Sequence, residues 1–390
     1  MADLVKWCLY IVYYYGRFTG LVNFEIDLKT GRTRVTKWAT IYAAFVQIIL
    51  FTILFYHTLG IRFITSMWVK ANLLHEYVFM IMSVLRILCV LMALISRWFM
   101  RRRFVRLFNS FRRLFQSNPE AIQYCRMGIA AKCLCSKATE ILQVTIALVI
   151  VKKYLTIHLV LGIWSVVSLT AIINLIITQY YIAIANIRGS YMLLNKELRL
   201  ILSETQSLIP NRRGVFVTKC CHLADRLDII ARTQSELQDL TDRLSKTYEV
   251  QIFWMAISYY LNSVGSIYIM FSFGKYKNMV EDWPLSVVVL GVAYFLFFYF
   301  DNWINMYGVF ELSDLHAEML ILMEQRTVLL PCLDNRLEAA FDSFGLSLAR
   351  NPFKLRFFGV FEANRSTLLP WANSLIINSL FLIQYDMQNF

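Results

Sequence analysis

The chain has 390 residues, of which 58% are hydrophobic, 15% aromatic and only 17% charged. Because a soluble domain is about half apolar and about a quarter charged, this composition excludes an ordinary soluble protein and indicates a membrane protein. The net charge of +13 leaves two explanations, a nucleic-acid surface or basic loops sorted to one side of a bilayer, and the positions of the charges decide between them.

Seven windows of the sequence approach the roughly 20 apolar residues that a helix needs to cross a bilayer. They run over 38–60, 75–96, 138–152, 160–187, 249–273, 284–310 and 366–386. The third window is the weakest because charged residues crowd its start, although apolar residues also extend upstream of it. We therefore predict an all-α fold with seven transmembrane helices.

The Lys and Arg residues are distributed unevenly among the segments that join these windows. The N-terminal segment, the segments after windows two and four, and the segment before window seven hold 32 of the 39, whereas the other loops hold six. Since cytoplasmic loops are enriched in basic residues, this asymmetry predicts a cytoplasmic N-terminus and an extracellular C-terminus. It also excludes the nucleic-acid explanation. We interpret the Arg-rich segment 97–115 as a topology anchor, with a cytoplasmic helix on anionic headgroups as the alternative.

These assignments predict an organisation in six parts along the chain. They are a cytoplasmic segment 1–37, spans one to four in 38–187 with a basic cytoplasmic loop 97–137, a cytoplasmic helical linker 188–248, spans five and six in 249–310, a second cytoplasmic helical linker 311–365, and the last span with a short extracellular tail in 366–390.

The first linker has the pattern of an amphipathic helix. Apolar or neutral residues recur every three or four positions at Leu223, Leu227, Ile230, Thr233, Leu237, Leu240, Leu244 and Tyr248. With a second amphipathic stretch over 312–348, this stripe predicts a helical bundle below the membrane, and the first helix is expected to continue into span five. The stripe packs within the chain by default, and against a second subunit in the alternative.

Cysteines and histidines do not indicate a metal site. The sequences "CLC" at 133–135 and "CCH" at 220–222 have no second ligand pair at zinc spacing. None of the eight cysteines falls in a predicted outer loop, so we expect reduced structural thiols, no extracellular disulfide and no cofactor.

The last window, "WANSLIINSLFLIQYD" at 371–386, carries several amides and hydroxyls. Ser374 and Asn378 share one helical face with Phe381 and Tyr385, and Gln384 lies near the outer end. These groups either bond to neighbouring helices or line a water-filled path built by several copies. The number of amides, without an acid or base among them, favours a neutral pore lining. Asp386 is expected at the outer mouth, where it would attract cations.

Four stretches of the chain resemble the insect gustatory receptors, and the resemblance runs over the whole length. They are "YYYGRFTGLVNFEID", "TKCCHLADRLDIIA", "RNPFKLRFFGVFEANRS" and "NSLFLIQYDM". The family's signature in span seven is Thr-Tyr, five apolar residues, then Gln-Phe. Here Gln384-Tyr385 stands in the Gln-Phe place and Ile377-Asn378 stands where Thr-Tyr would be. This half-kept motif looks like the divergent bitter-type branch of fly receptors.

The resemblance implies a tetrameric, ligand-gated, non-selective cation channel in the plasma membrane of gustatory receptor neurons. By that carry-over Gln384 and Tyr385 are gate candidates, and Asn378 and Ser374 are pore-lining candidates. The implied partners are small-molecule tastants, membrane lipids and other gustatory receptor subunits, with the cytoplasmic helices as the main subunit contact and no nucleic acid. Because the motif is half kept, an accessory subunit that tunes other receptors remains the alternative.

The resemblance also implies a ligand pocket that opens outward among spans two to six. A ligand pocket is concave and mostly apolar, with a few polar groups. The candidates in the outer halves of these spans are His75, Tyr77, Trp164, Tyr268 and Tyr294. The alternative for each aromatic residue is a membrane-interface anchor.

Two ionisable residues lie inside predicted spans, Arg86 in "SVLRILC" and Asp301 in "FFYFDNWIN". Each is costly in lipid unless it is paired or hydrated, so we expect the two to meet directly or through water. Such a pair either couples pocket to gate or fixes the register of the helices.

Other classes of membrane protein fit less well. A G-protein-coupled receptor has its N-terminus outside, and the chain lacks both Asp-Arg-Tyr after window three and Asn-Pro-x-x-Tyr in window seven. A transporter is expected to show halves related by a repeat. No nucleophile–base or metal set converges, so we do not expect an enzyme.

Overall fold

The structure, a computed structural model, is almost entirely helical, as the sequence predicts. It describes residues 3–27, 30–59, 73–151, 157–208, 213–276, 285–325, 334–353, 356–357, 361–362 and 365–389.

Ten α-helices and two short antiparallel strand pairs make up the described part of the chain. The helices are α1 Asp3–Phe18, α2 Lys37–Leu59, α3 Leu73–Phe99, α4 Arg101–Ser117, α5 Ala121–Val151, α6 Ile157–Gln206, α7 Arg213–Lys275, α8 Leu285–Glu324, α9 Asn335–Arg350 and α10 Leu368–Asn389. The strands are β1 Glu25–Ile26, paired with β2 Thr33–Arg34, and β3 Arg356–Phe357, paired with β4 Phe361–Glu362.

Six of the described helices are long and apolar enough to cross a membrane, namely α2, α3, α5, α6, α8 and α10. The predicted fifth span, 249–273, is the last part of α7, which does not reach the same apolarity. Its polar side chains Ser258, Asn262 and Ser263 are buried inside the protein. A helix whose polar groups face other helices needs less apolar surface than one that faces lipid.

The third predicted window, 138–152, forms only the second half of α5. This helix begins at Ala121, so α4 and the first half of α5 occupy most of the segment assigned to a basic loop. Helical backbone thus continues well upstream of the apolar window.

Helices α6 and α7 are much longer than a membrane is thick. They contain 50 and 63 residues, which correspond to lengths of about 75 and 95 Å. Since a hydrocarbon core is about 30 Å thick, both helices extend beyond it on the side where one ends and the next begins. The end of α8 and α9 pack beside them and complete a helical bundle.

The predicted apolar stripe of α7 forms the core of this bundle. Seven of its eight residues are buried, with Leu227 and Leu244 fully inaccessible, and Thr233 is half-buried. These side chains pack against α6 and α9 of the same chain, which confirms packing within the chain for this face.

Ion pairs between α6 and α7 reinforce the bundle. Arg226 of α7 donates to Glu197 at 2.5 Å and to Glu204 at 2.9 Å. These hydrogen bonds raise the pKa of the Arg226 guanidinium, so the bridge stays charged over the ordinary pH range.

Helices α5 and α6 lie close together at Gly189, where a Cβ atom would overlap the backbone oxygen of Ala121. We expect Gly189→Ala to destabilise the protein by about 1–3 kcal/mol, because backbone atoms in two packed helices would have to move apart. The midpoint of thermal unfolding of the purified protein in detergent, followed by size-exclusion chromatography, measures this effect.

Gly291→Ala in α8 is the matched control, since nothing in the described part of the chain lies within 4 Å of a Cβ there. It should be neutral or slightly stabilising. Equal midpoints for the two variants would contradict the proposed close packing.

Candidate functional site

The C-terminal helix α10 contacts the rest of the chain along one side only. Leu375, Ser379 and Asp386 are buried on that side, mainly against α7. Only 11% of the helix's apolar window is buried inside the chain. Helix α10 is therefore attached to the surface of the molecule rather than enclosed by it.

The side of α10 that points away from α7 carries a regular polar and aromatic series, which we call the outward stripe. It consists of Asn373, Ile377, Phe381, Gln384 and Gln388, which are all exposed and follow one another at steps of three or four residues. At 3.6 residues per turn these side chains share one face of the helix. Three primary amides thus flank two apolar side chains on an exposed surface of the helix.

Ser374 and Asn378 turn toward α7. The Ser374 Oγ lies 2.6 Å from the hydroxyl of Tyr260, and the Asn378 Nδ2 donates to the same hydroxyl at 2.7 Å. Asn378 remains exposed, whereas Ser374 is half-buried. Of the four pore and gate candidates, Gln384 lies in the outward stripe and Tyr385, half-exposed, lies beside it.

Asp386 does not face outward as the sequence had indicated. Its carboxylate is fully buried and accepts hydrogen bonds from Tyr268 at 3.1 Å, Lys275 at 3.0 Å and Tyr276 at 3.1 Å. The position lies seven residues after Ser379, two helical turns along the same buried side, so α10 directs this acid to α7. The predicted role of Asp386 as an exposed cation-attracting group is therefore corrected.

Two of the ligand-pocket candidates join the same cluster. The Tyr268 hydroxyl lies 3.4 Å from His75 Nε2, and the two rings stack with centroids 5.2 Å apart. Because that hydroxyl donates its proton to Asp386, it accepts from the imidazole. We name His75, Tyr268, Lys275, Tyr276 and Asp386 the outer cluster. It joins α3, α7 and α10 by side chains that leave a ligand little room, since His75 and Tyr268 are inaccessible.

The other three pocket candidates do not come together. Tyr77 and Trp164 are exposed on the outside of the helices, at 53% and 38%. Tyr294 is half-buried and stacks on Phe298, which stacks in turn on Tyr259 at 5.5 Å. Only Tyr294 therefore leads into the interior.

The aromatic stack ends at a cavity of about 280 Å³ between α6, α7, α8 and the start of α10, which we name the central cavity. Its walls include Tyr180, Tyr181, Tyr259, Asn302, Asn305 and Trp371. The Asn305 Oδ1 has no partner among the described residues. An apolar slot with one free acceptor has the character of a small-molecule site. The two amides in "DNWIN" are the sequence signal for this cavity, and they are not among the predicted pocket residues.

The two intramembrane charges have partners other than those predicted. Asp301 pairs with Lys132 at 2.6 Å, and both side chains are buried. The Arg86 Nε donates to Asn262 Oδ1 at 3.2 Å. The direct pairing of Arg86 with Asp301 is corrected, because the early start of α5 brings Lys132 out of the assigned loop and alongside α8.

Comparison with known proteins gives three findings. A sequence model of the family described as "7tm Chemosensory receptor" matches residues 9–389. The chain is 51% identical over 390 residues to gustatory receptor 59d of Drosophila melanogaster, with all of both chains covered. It is 23% identical over 166 residues to the gustatory receptor for bitter taste 22e of the same species, which covers 43% of this chain and 42% of that protein.

A solved structure has the same fold. The insect olfactory receptor OR5 from Machilis hrabei in complex with eugenol aligns with a TM-score of 0.66 at 12% identity, covering 98% of this chain and 99% of that one. The helix arrangement described above is thus that of an insect chemoreceptor.

The buried Lys132–Asp301 pair can be tested by substitution. Lys132→Met leaves the Asp301 carboxylate buried without its counter-ion, which we expect to cost about 3–5 kcal/mol and to abolish surface expression. The double variant Lys132→Met/Asp301→Leu removes both charges and should recover most of the surface expression. Surface biotinylation in cultured cells is the measurement.

Lys196→Met, at an exposed lysine of α6, is the matched control and should leave expression unchanged. If the double variant expresses no better than Lys132→Met, then the two side chains do not act as a pair.

Proposed function

The chain belongs to the 7tm chemosensory receptor family as an insect gustatory receptor, a multi-span membrane protein and not an enzyme, and from this premise we propose that it forms a ligand-gated, non-selective cation channel lined by α10. We place its N-terminus and helical bundle in the cytoplasm of a gustatory neuron and its C-terminus outside. The uneven distribution of basic residues supports this orientation.

The outward stripe is the observation that carries the proposal. Asn373, Gln384 and Gln388 are exposed on a helix that is otherwise apolar enough to cross a membrane. Amides left in hydrocarbon cost several kcal/mol each, so this face requires water or further protein. Copies of α10 arranged around an axis provide both, and the family resemblance indicates four.

Neutral amides suit a weakly selective pore. The stripe has no acid or base, so it replaces part of an ion's hydration without a strong preference among monovalent cations. We assign the gate to Gln384 and Tyr385, near the outer end of α10, with Phe381, 71% exposed, one turn further in.

The outer cluster provides a route from ligand to gate. Asp386 follows Tyr385 directly and is held by α7, while Tyr268 ties the same carboxylate to His75 of α3. A ligand that shifts α3 or α7 relative to α10 would therefore act on the residue next to the gate. We propose that the intact cluster holds α10 in its closed position.

The ligand is proposed to be a small, largely apolar compound that tastes bitter. Support comes from the 22e relative, named for bitter taste, and from the OR5 structure, which contains the aromatic compound eugenol. We assign binding to the Tyr294 stack and the central cavity, whose aromatic walls accept varied shapes and whose Asn305 oxygen is free, among the described residues, to accept one hydrogen bond.

We expect cells that express the chain to pass inward cation current when bitter compounds are applied outside. In the variant Gln384→Cys, a membrane-impermeant thiol reagent added outside should block most of that current, because the stripe faces the water-filled pore. Whole-cell recording before and after the reagent measures this.

Two controls accompany the recording. The unsubstituted chain should keep its current, since its own cysteines lie away from the predicted outer loops, and Ser379→Cys, on the buried side of α10, should be protected. Equal block of Ser379→Cys and Gln384→Cys, or protection of both, would contradict the assignment of the pore face and of the outer C-terminus.

The accessory-subunit function is the second candidate, favoured by the half-kept motif at Ile377-Asn378. Silence of the chain alone, followed by an altered ligand range when it is expressed with other gustatory receptors, would select that function over the homomeric channel.

The outer cluster gives a separate test of gating. Tyr268→Phe removes a hydroxyl that bonds to both Asp386 and His75 but keeps the ring. If the cluster holds the closed state, losing about 1 kcal/mol there lowers the half-activating ligand concentration about fivefold and leaves unitary conductance unchanged. Concentration–response curves and single-channel recording measure the two quantities.

Tyr299→Phe in α8 is the control, because its buried hydroxyl has no partner in the part of the chain that the structure describes. It should not shift the curve. A curve for Tyr268→Phe that coincides with that of Tyr299→Phe would remove the cluster from the gating mechanism.

A further inference from the structure

A second and larger cavity lies near the ends of the spans that adjoin the basic segments. It has a volume of about 810 Å³ and opens between α1, α4, α5 and α6. Its apolar wall includes Leu9, Phe24, Phe108, Phe111, Phe115 and Ile182. We name it the basic-side cavity, because it lies beside the Arg-rich helix α4. Neither the pore nor the ligand site uses it.

The basic-side cavity contains hydrogen-bond donors without acceptors. Asn186, 3% exposed, lines the cavity, and its Nδ2 has no partner among the described residues. Arg112 also lines the cavity, and its buried Nε likewise has no hydrogen-bond partner among the described residues. A buried donor left unpaired destabilises the protein, so two of them in one cavity indicate a ligand that brings acceptor oxygens.

The charges around the basic-side cavity favour an anion. Lys6, Arg112 and Arg126 contribute cationic side chains to its lining, against the single acid Glu120. Arginine binds the oxygens of a phosphate in a bidentate manner, with better geometry than a point charge. The ligand's polar part is therefore expected to be a phosphate.

The depth of the basic-side cavity matches the headgroup level of a bilayer. Asn186 is the penultimate residue of the predicted span 160–187, and Tyr248 precedes the predicted span 249–273 by one residue. The cavity thus begins where the apolar windows end, on the side that carries most of the basic residues. Anionic lipids are attracted to such a surface.

We propose that the basic-side cavity binds one anionic phospholipid, with its phosphate at Asn186 Nδ2 and Arg112 and an acyl chain along the phenylalanine wall. A small soluble phosphate would satisfy the donors but leave the aromatic wall uncovered. A zwitterionic lipid would cover the wall but would bring no net negative charge to a cationic rim. The anionic lipid alone satisfies both parts of the cavity.

The test uses the purified full-length chain in nanodiscs of phosphatidylcholine or of phosphatidylserine with the same acyl chains. Phosphatidylserine should raise the thermal midpoint, and the rise should grow with its mole fraction. Asn186→Leu, which removes the orphan donor at similar volume, should lose at least half of that rise while keeping its midpoint in phosphatidylcholine. Arg112→Gln should lose a comparable part.

Arg103→Gln is the matched control, since Arg103 is an exposed arginine of the same helix and is absent from the lining of the cavity. It should keep the full rise. An equal loss in Arg103→Gln would show diffuse headgroup attraction and would overturn the site. Equal midpoints in the two lipids would also overturn it.

A third measurement distinguishes a lipid phosphate from a soluble phosphate as the ligand. Glycerol phosphate added to phosphatidylcholine nanodiscs should give no rise, and a rise equal to that of phosphatidylserine would assign the cavity to a soluble anion instead. If Asn186→Leu does not fold, Arg112→Gln against Arg103→Gln decides the question by itself.

Discussion

Within a lipid slab, every polar group must find its partner in protein or in water. The chain meets this requirement in two ways that fix its helices. Lys132 pairs with Asp301 between α5 and α8, and the donors of the outer cluster surround Asp386 between α7 and α10. The outward stripe of α10 is the exception, since its amides are exposed on the surface of the described part of the chain. The same rule that explains the buried pairs thus identifies the face that must meet other subunits and water.

Helix α7 connects the parts of the molecule that the proposed mechanism requires to move together. One continuous helix of 63 residues contributes the stripe of the bundle core at one end and the anchors of α10 at the other. Tyr260 holds Ser374 and Asn378, and Tyr268 holds Asp386. Because a helix is stiff along its axis, a displacement in either region reaches the other with little loss. Among the polar residues that weaken α7 as a membrane span, Asn262 attaches a neighbouring helix, because it accepts a hydrogen bond from Arg86 of α3.

The periodicity of a single helix predicts which of its side chains are buried, because that depends on the helix alone. The buried stripe through Leu227 and Leu244 follows from 3.6 residues per turn, and the same rule, applied from Ser379 to Asp386, would have placed that acid on the buried side. Pairings between helices depend on where each helix begins and how it is rotated. Lys132 precedes the apolar window 138–152, and Arg86 and Asp301 share only a mid-span position, so the sequence does not show which side chains pair. The central cavity requires four helices, and its local signature is confined to the two amides of "DNWIN".

The divergent motif of α10 acquires a physical meaning from these contacts. The resemblance aligns Ile377-Asn378 with a Thr-Tyr pair, which would put a hydroxyl in the outward stripe and an aromatic ring beside it. Here Ile377 makes the stripe apolar at that level, and the tyrosine hydroxyl next to Asn378 comes from Tyr260 of α7. In the proposed pore, four copies of Ile377 would form an apolar ring that strongly hydrated ions pass with difficulty, so the amide of Gln384 is left as the polar contact at the outer end. Because the Thr-Tyr part of the motif is replaced at Ile377-Asn378, the proposed gate depends more on Gln384, which is kept.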